Sequence, residues 1–170
     1  MSEFRKALDK YARYVVQQSR SNLTKQRNNA SKSLYRSLGY NIKGSQVTFE
    51  GNAYGEFLDK GVRGAESYYA DKGTASSPFK YKGKMPPPKA FEKWIRQRGI
   101  KGRDKKTGRF ISNKSLAYLI ASKIKRDGIK STSFFQRPLG LGMDRFGVGL
   151  LGAIKEDVIG VFSDMYKTTV

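Results

Sequence analysis

Residues 3–16, EFRKALDKYARYVV, form the clearest helical pattern in this sequence. Phe4, Leu8, Tyr11 and Val15 recur at spacings of three and four residues, which places them on one face of a helix. The residues between them are mostly charged, so the opposite face suits solvent. The stretch therefore predicts an amphipathic N-terminal helix whose apolar face packs against the rest of the fold.

The next part of the chain changes from helical to strand-like patterning. Helical spacing continues through residues 30–38, and Gly39 is a suitable stop. Residues 40–43 and 46–50 then alternate apolar and polar side chains around a Gly-Ser turn, which predicts a β-hairpin. Residues 53–61 fit either a strand or a short helix.

Three further helices are predicted in the second half. Residues 86–88 are prolines that open a helix, and Gly99 closes it. We expect its Trp94 to pack in the core. Apolar spacing predicts another helix over residues 116–128, and a last one from about residue 154 to Tyr166 on the face of Ile154, Val158, Val161, Phe162 and Met165.

These elements predict an α+β fold, in which a long N-terminal helix and C-terminal helices pack on a small antiparallel sheet. The chain length of 170 residues suits a single domain over residues 1–170. Residues 62–85 and 99–112 lack periodicity and are rich in Gly and Lys, so we expect two extended basic loops there.

Composition restricts the function more than any local motif. The formal net charge is +20, and the chain contains neither histidine nor cysteine. The excess of cations requires an anionic partner or assembly against acidic surfaces. Histidine is the commonest general base and transition-metal ligand, and cysteine supplies the thiol nucleophile. We therefore expect a binding or structural protein, not an enzyme, with no cofactor, metal or small-molecule substrate.

The N-terminal residues carry charge from Glu3 onward and have no uninterrupted apolar stretch, so we expect no secretory signal. The longest apolar run, residues 148–154, is too short to span a bilayer. These features predict a protein made in the cytoplasm without membrane contact.

Two basic stretches are candidates for contact with an anionic surface. Residues 79–84 interleave aromatic rings with cations, and residues 101–109 crowd five cations around Asp104. The candidate contacts are Lys80, Lys82, Lys84, Lys101, Arg103, Lys105, Lys106 and Arg109. Aromatic residues on or near the loops are candidate subunit-interface residues. They are Tyr68, Tyr69, Phe79, Phe110, Phe134 and Phe135, with core packing left open for Phe134.

Two other motifs carry less weight. Residues 147–152 spell GxGxxG, but no strand clearly precedes them and too few residues follow for a nucleotide-binding unit, so close helix packing or bending explains them better. Glu56 and Asp59 form a possible acid pair, but the neighbouring Lys60 favours simple ion pairing.

The serial order of several short motifs resembles the neck (tail-completion, minor tail) proteins of tailed bacteriophages. The resemblance spans about residues 1–165. It depends on AYGEFLDKG at 53–61, MPPP at 85–88 before Trp94, RDKKTGRF at 103–110, LAYLIA at 116–121 and SFFQRP at 133–138. The long loop at 62–84 and the glycine-rich stretch at 140–152 depart from the family pattern.

The resemblance implies a non-enzymatic virion protein at the head–tail interface. Members of this family form a homo-oligomeric ring around the DNA channel, between the portal or adaptor assembly and the tail. In such a ring we expect the basic loops to meet acidic protein faces or, non-specifically, the phosphates of passing double-stranded DNA. An alternative is a basic nucleic-acid-binding protein that acts outside the virion, and a third is a hydrolase that uses Glu56 and Asp59.

Overall fold

A computed structural model describes residues 2–26, 31–66 and 77–168, together with their side chains except those of 162 and 164–168. The described residues form six helices and four short strands. These are α1 (Glu3–Lys25), α2 (Ser33–Ser37), β1 (Gly39–Lys43), β2 (Gln46–Glu50), α3 (Tyr54–Lys60), β3 (Val62–Arg63), α4 (Pro88–Arg98), α5 (Asn113–Asp127), β4 (Gly128–Ile129) and α6 (Gln136–Thr168). The predicted α+β class is confirmed.

The chain divides into two compact units. Unit 1 contains residues 2–26, 33–52 and 134–168, and unit 2 contains residues 31–32, 53–66 and 77–133. Unit 1 is therefore built from both ends of the sequence, and most of unit 2 is one continuous segment.

The core of unit 1 lies between α1, α6 and the β1–β2 hairpin. Leu8, Tyr11 and Val15 are buried, as the spacing in α1 predicts. The Tyr11 ring meets the Phe49 ring of β2 edge-on, with centroids 6.3 Å apart. Leu150 of α6 completes this buried cluster.

The hairpin is confirmed in place and register. Gly39 pairs with Glu50 and Lys43 with Gln46, and Gly44 adopts the positive φ of 57° that the turn needs. α2 ends at Ser37, so Gly39 takes the C′ position expected of it, but it has no positive φ and is also the first residue of β1.

The last helix differs most from the sequence-based expectation. α6 begins at Gln136 and includes the glycine-rich stretch 140–152, for which no helix is predicted. Its buried side contains Gly142, Leu150 and Ala153, whereas Ile154 and Val158 of the predicted apolar face are exposed. Ile154, Val158 and Val161 of that predicted face therefore lie on the outer side of α6, and the side chains of Phe162 and Met165 lie outside the described residues.

Gly142 marks the closest approach of α6 to α1. A Cβ placed there would lie 2.8 Å from Cε2 of Tyr11 and 3.2 Å from Cγ2 of Val15. We expect Gly142→Ala to destabilise unit 1 by about 1–3 kcal/mol, because neither buried neighbour can move freely. Gly149→Ala is the matched control, since its Cβ would meet nothing within 4 Å. That change should stabilise the helix by about 0.5–1 kcal/mol. Urea unfolding followed by far-UV circular dichroism measures both, and equal effects would contradict the packing argument.

Asp157 of α6 caps the first turn of α1. Its carboxylate accepts hydrogen bonds from the backbone N–H groups of Glu3 and Phe4, each at 3.0 Å. These bonds, that from Phe4 foremost, lower the pKa of Asp157 below its ordinary value. A carboxyl group with a lowered folded-state pKa stabilises the fold above its ordinary pKa of about 3.9, and that contribution is lost as pH falls through the lowered value.

We therefore expect Asp157→Asn to lower the melting temperature near neutral pH and to flatten its dependence on pH below about 4. Glu156→Gln removes the neighbouring exposed carboxylate as a control and should leave the profile nearly unchanged. Parallel melting profiles for the wild type and the Asp157 variant would contradict this assignment.

Unit 2 is organised by α4, α5 and the short β3–β4 ladder. The prolines and Gly99 bound α4 as predicted, since Pro87 is its N-cap residue and Gly99 adopts a left-handed φ of 62°. α5 ends at Asp127 with Gly128 as its C-cap, which agrees with the predicted end. Residues 53–61, left open between strand and helix, contain α3.

The expected loop at 62–85 is only partly a loop. Val62 and Arg63 form β3 and pair antiparallel with Ile129 and Gly128 of β4. A two-residue strand gives almost no periodic signal, and its partner lies more than sixty residues away.

Candidate anion-binding groove

β3 places Arg63 between two neighbouring stretches of backbone. On one edge Arg63 pairs with Gly128. On the other, its N–H donates to the carbonyl of Phe79 and its carbonyl accepts from the N–H of Tyr81, both at 2.9 Å. The hydroxyl of Ser77 donates to the carbonyl of Gly61 at 2.7 Å. These bonds fix residues 77–81 beside the strand.

A groove of about 1200 Å³ lies along this arrangement, between α3, residues 78–82 and α4. Its charged lining residues are all cationic. They are Arg63, Lys80, Lys82, Lys93 and Arg98. Among the described residues no carboxylate lines the groove. The positive charge is therefore not neutralised locally, and the groove favours an anionic ligand.

One nitrogen in each of two arginines of the groove has no hydrogen-bond partner among the described residues. The Nε atoms of Arg63 and Arg98 are buried and bond to nothing in the described part of the chain. A buried polar group without a partner costs about 1–3 kcal/mol. Because both residues line the groove, an anionic ligand there would pair with their guanidinium groups through charge-assisted hydrogen bonds.

Aromatic side chains supply the rest of the surface. The rings of Phe57 and Phe79 stack at a tilt with centroids 4.4 Å apart. Tyr54, Phe57 and Trp94 are 46%, 43% and 38% exposed. Burial raises the pKa of Tyr81, so its hydroxyl stays protonated at neutral pH. Exposed rings among cations suit a polymer that carries both phosphates and planar bases.

The prediction that Trp94 packs in the core is wrong. Ile95 fills the buried position of α4, and Trp94 faces the groove instead. Lys93 and Gln97 lie on the same side of α4 because they are one helical turn apart. That spacing is the sequence signal that could have identified this half of the groove.

The second basic stretch forms a separate turn, which we call the basic turn (residues 102–111). Its ends are joined by a hydrogen bond from the N–H of Ile111 to the carbonyl of Gly102 at 2.9 Å, and by a β-bridge between Arg103 and Phe110. The Arg103 guanidinium lies 4.5 Å from the centre of the Phe110 ring, which is 62% exposed. The loop expected over residues 99–112 therefore contains a closed, hairpin-like turn.

Asp104 shapes the basic turn and does not simply balance its charge. Its Oδ1 accepts bonds from the N–H groups of Lys106 at 2.9 Å and Thr107 at 2.8 Å. These bonds, that from Thr107 foremost, lower the pKa of the carboxyl group. The carboxylate is held toward the backbone, so the exposed cations in the basic turn and directly before it form no ion pair among the described residues. They are Lys101, Lys105, Lys106 and Arg109.

The other predicted contact residues are distributed unevenly. Lys80, Lys82 and Phe79 lie together in the groove, whereas Lys84 is exposed outside its lining. Tyr68 and Tyr69 lie outside the described residues. Arg63, Lys93 and Arg98 were missed by sequence reasoning, because nothing local in the sequence brings β3 and α4 together.

Phe134 and Phe135 lie in unit 1. The prediction of a subunit-interface role is wrong for Phe134. Phe134 is 2% exposed, so it packs in the interior and is not an exposed interface anchor. Phe135 is half-buried, with its ring 5.3 Å from that of Phe49. The contact between Phe135 and Phe49 therefore joins the residue before α6 to the hairpin.

Other kinds of site find little support in the described residues. Glu56 forms an ion pair with Lys60 at 2.6 Å, as predicted from their spacing. No group of three or more potential metal ligands occurs within residues 2–26, 31–66 and 77–168. No helix in the same ranges is long and apolar enough to cross a membrane.

Comparison with protein families, with curated proteins and with solved structures gives no match to this chain.

Proposed function

We propose that this protein is a structural component of the neck of a tailed bacteriophage, without enzymatic activity. In this role it is a ring-forming subunit between the portal or adaptor assembly and the tail, around the DNA channel. The order of motifs along the sequence supports the proposal. So does the cationic surface of unit 2, which such a subunit would present to DNA phosphates or to acidic faces of its neighbours.

The groove is the observation that carries the binding part of this proposal. Five cations line it without a carboxylate among the described residues, and two of them have buried Nε atoms without partners. Charge of one sign without a local counter-charge favours an external anion as the partner of this groove.

The ring requires a contact that repeats head to tail and closes on itself. Candidate surfaces are the exposed aromatic and basic residues of the basic turn, with Phe110 as the anchor. Negative-stain microscopy and native mass spectrometry of the purified chain, with and without double-stranded DNA, test this assembly. We expect annular particles of more than two copies. A chain that stays monomeric with and without DNA, and does not join neck proteins, would contradict the role.

The second candidate is a nucleic-acid-binding protein that acts outside the virion. The exposed rings of Tyr54, Phe57 and Trp94 beside arginines favour it, because such surfaces bind single strands by stacking. It predicts a monomer whose affinity for DNA falls steeply with salt and which forms no ring. The same mass-spectrometry experiment therefore separates the two functions.

A further inference from the structure

α6 carries two faces on opposite sides of the helix. The inner face packs on α1 and contains Gly142, Leu150 and Ala153. The outer positions follow each other at alternating spacings of three and four residues. They are Leu141, Asp144, Val148, Leu151, Lys155 and Val158, which we call the outer stripe. This spacing is the heptad pattern by which two helices pack along a common seam.

The apolar members of the outer stripe are unusually exposed. Leu141 is 49% exposed, Val148 84%, Leu151 69% and Val158 48%. Four large apolar side chains in one row on a folded surface indicate an interaction site. The outer stripe therefore needs a partner with a matching row.

The outer stripe shows the same order of apolar residues when it is read in the opposite direction. About a point midway between residues 149 and 150, Leu141 corresponds to Val158 and Val148 to Leu151. We infer that α6 pairs antiparallel with α6 of a second copy of this chain, through the outer stripe. Each apolar residue of one copy then meets an apolar residue of the other, in the layers of an antiparallel coiled coil.

The charges of the outer stripe select this partner and this direction. The same reversal sets Asp144 of each copy against Lys155 of the other, which gives two identical ion pairs. Neither side chain forms an ion pair within the described part of its own chain. In a parallel pair, Asp144 would instead meet Asp144 of the second chain, and Lys155 would meet Lys155 of the second chain. Both contacts would be repulsive.

The glycines of α6 agree with a close approach at the centre of this seam. Gly147 and Gly152 flank the midpoint, and a Cβ at either position would meet nothing within 4 Å in the described structure. Glycine inside a helix is less stable than alanine, so packing within the chain gives no reason for these two. A second helix lying across them does, because glycine lets two backbones approach closely.

The paired segment from residue 141 to residue 158 is about 27 Å long at 1.5 Å per residue. Such a short seam gives a reversible dimer. The contact is symmetric and closes at two copies, so it goes beyond the proposed ring, whose contacts repeat head to tail. Failure of either assembly therefore leaves the other intact.

Sedimentation of the full chain over a range of concentrations, with charge-reversal variants, tests the partner. We expect a monomer–dimer equilibrium in the wild type. Asp144→Lys alone and Lys155→Asp alone each turn two attractive pairs into repulsive ones and should raise the dissociation constant about tenfold or more. The double variant Asp144→Lys/Lys155→Asp restores opposite charges and should recover wild-type affinity within about threefold. Both positions are exposed, and circular dichroism confirms that each variant is folded.

Disulfide trapping tests the direction, and the absence of native cysteine makes it specific. A mixture of L141C and V158C chains should form a mixed disulfide, whereas L141C alone should not crosslink with itself. A wild-type chain that remains monomeric at every concentration would overturn the inference. So would efficient self-crosslinking of L141C, or a dimer that the single charge reversals leave unchanged.

Discussion

Replacing Arg63 and Arg98 together by glutamine should weaken binding of double-stranded DNA by about 100-fold at low salt, because each hydrogen bond to an ionised group contributes about 1.5–3 kcal/mol. The salt dependence should also become shallower by about two units of slope in a plot of log affinity against log salt, one for each phosphate that is no longer neutralised. Both side chains line the groove, and their buried Nε atoms have no partner in the described chain.

A short fluorescent duplex titrated at several salt concentrations measures this change. Lys25→Gln/Lys43→Gln is the matched control, since it removes two exposed cations of unit 1 and leaves the same net charge. We expect it to weaken binding only slightly. Equal losses in the two double variants would show that binding follows total charge and that the groove is not the site.

Trp94 supplies a second readout of groove occupancy. It is the only tryptophan of the chain, it lines the groove and it is 38% exposed. A duplex or single strand that enters the groove should change its emission, and the arginine variant should lose that response. An unchanged emission at saturating DNA would place the binding surface elsewhere.

Replacing Gly128 by alanine should destabilise unit 2 by more than about 3 kcal/mol, the range reached when a substitution conflicts with the backbone itself. Gly128 has φ of 87° and ψ of −166°, a region that only glycine occupies readily. A Cβ there would lie 2.2 Å from the carbonyl oxygen of Val62 and 2.5 Å from the nitrogen of Gly64. The added carbon therefore separates β4 from β3.

Gly108→Ala is the control for this prediction, because Gly108 also lies in unit 2 and has a positive φ, of 68°, but an added Cβ would meet nothing within 4 Å. It should destabilise the fold by only about 1–2 kcal/mol, which is the cost of the left-handed conformation alone. Denaturant unfolding followed by Trp94 fluorescence reports on unit 2, where Gly128 lies. A midpoint for Gly128→Ala close to the wild-type value would contradict the close approach of the two strands.

Local signals account for the parts of the fold that the sequence predicted correctly. The spacing of Leu8, Tyr11 and Val15 is a property of one helix, and the prolines before α4 and Gly99 after it act within one turn. The basic turn likewise depends on Asp104 and its next three residues. Each of these features is determined by neighbours in sequence, so pattern reasoning finds it.

The parts that were missed depend on contacts between distant residues. The glycines of α6 suggest an interrupted helix until Tyr11 of α1 is seen to occupy the space beside Gly142. Arg63 and Arg98 become one site only after β3, residues 77–81 and α4 are assembled. The core prediction for Trp94 rests on the usual burial of large apolar rings, but Ile95 already fills that position.

The division of unit 1 between the two ends of the sequence has a consequence for synthesis. α1 leaves the ribosome first, but the helix that covers its apolar face follows only after the whole of unit 2. At about 5–20 residues per second, roughly 6–25 s pass between the synthesis of Leu8 and Val15 and that of the start of α6. Unit 2 can complete its own core in that interval. A nascent chain halted before residue 136 should therefore recruit chaperones through α1 while its central segment already resists protease.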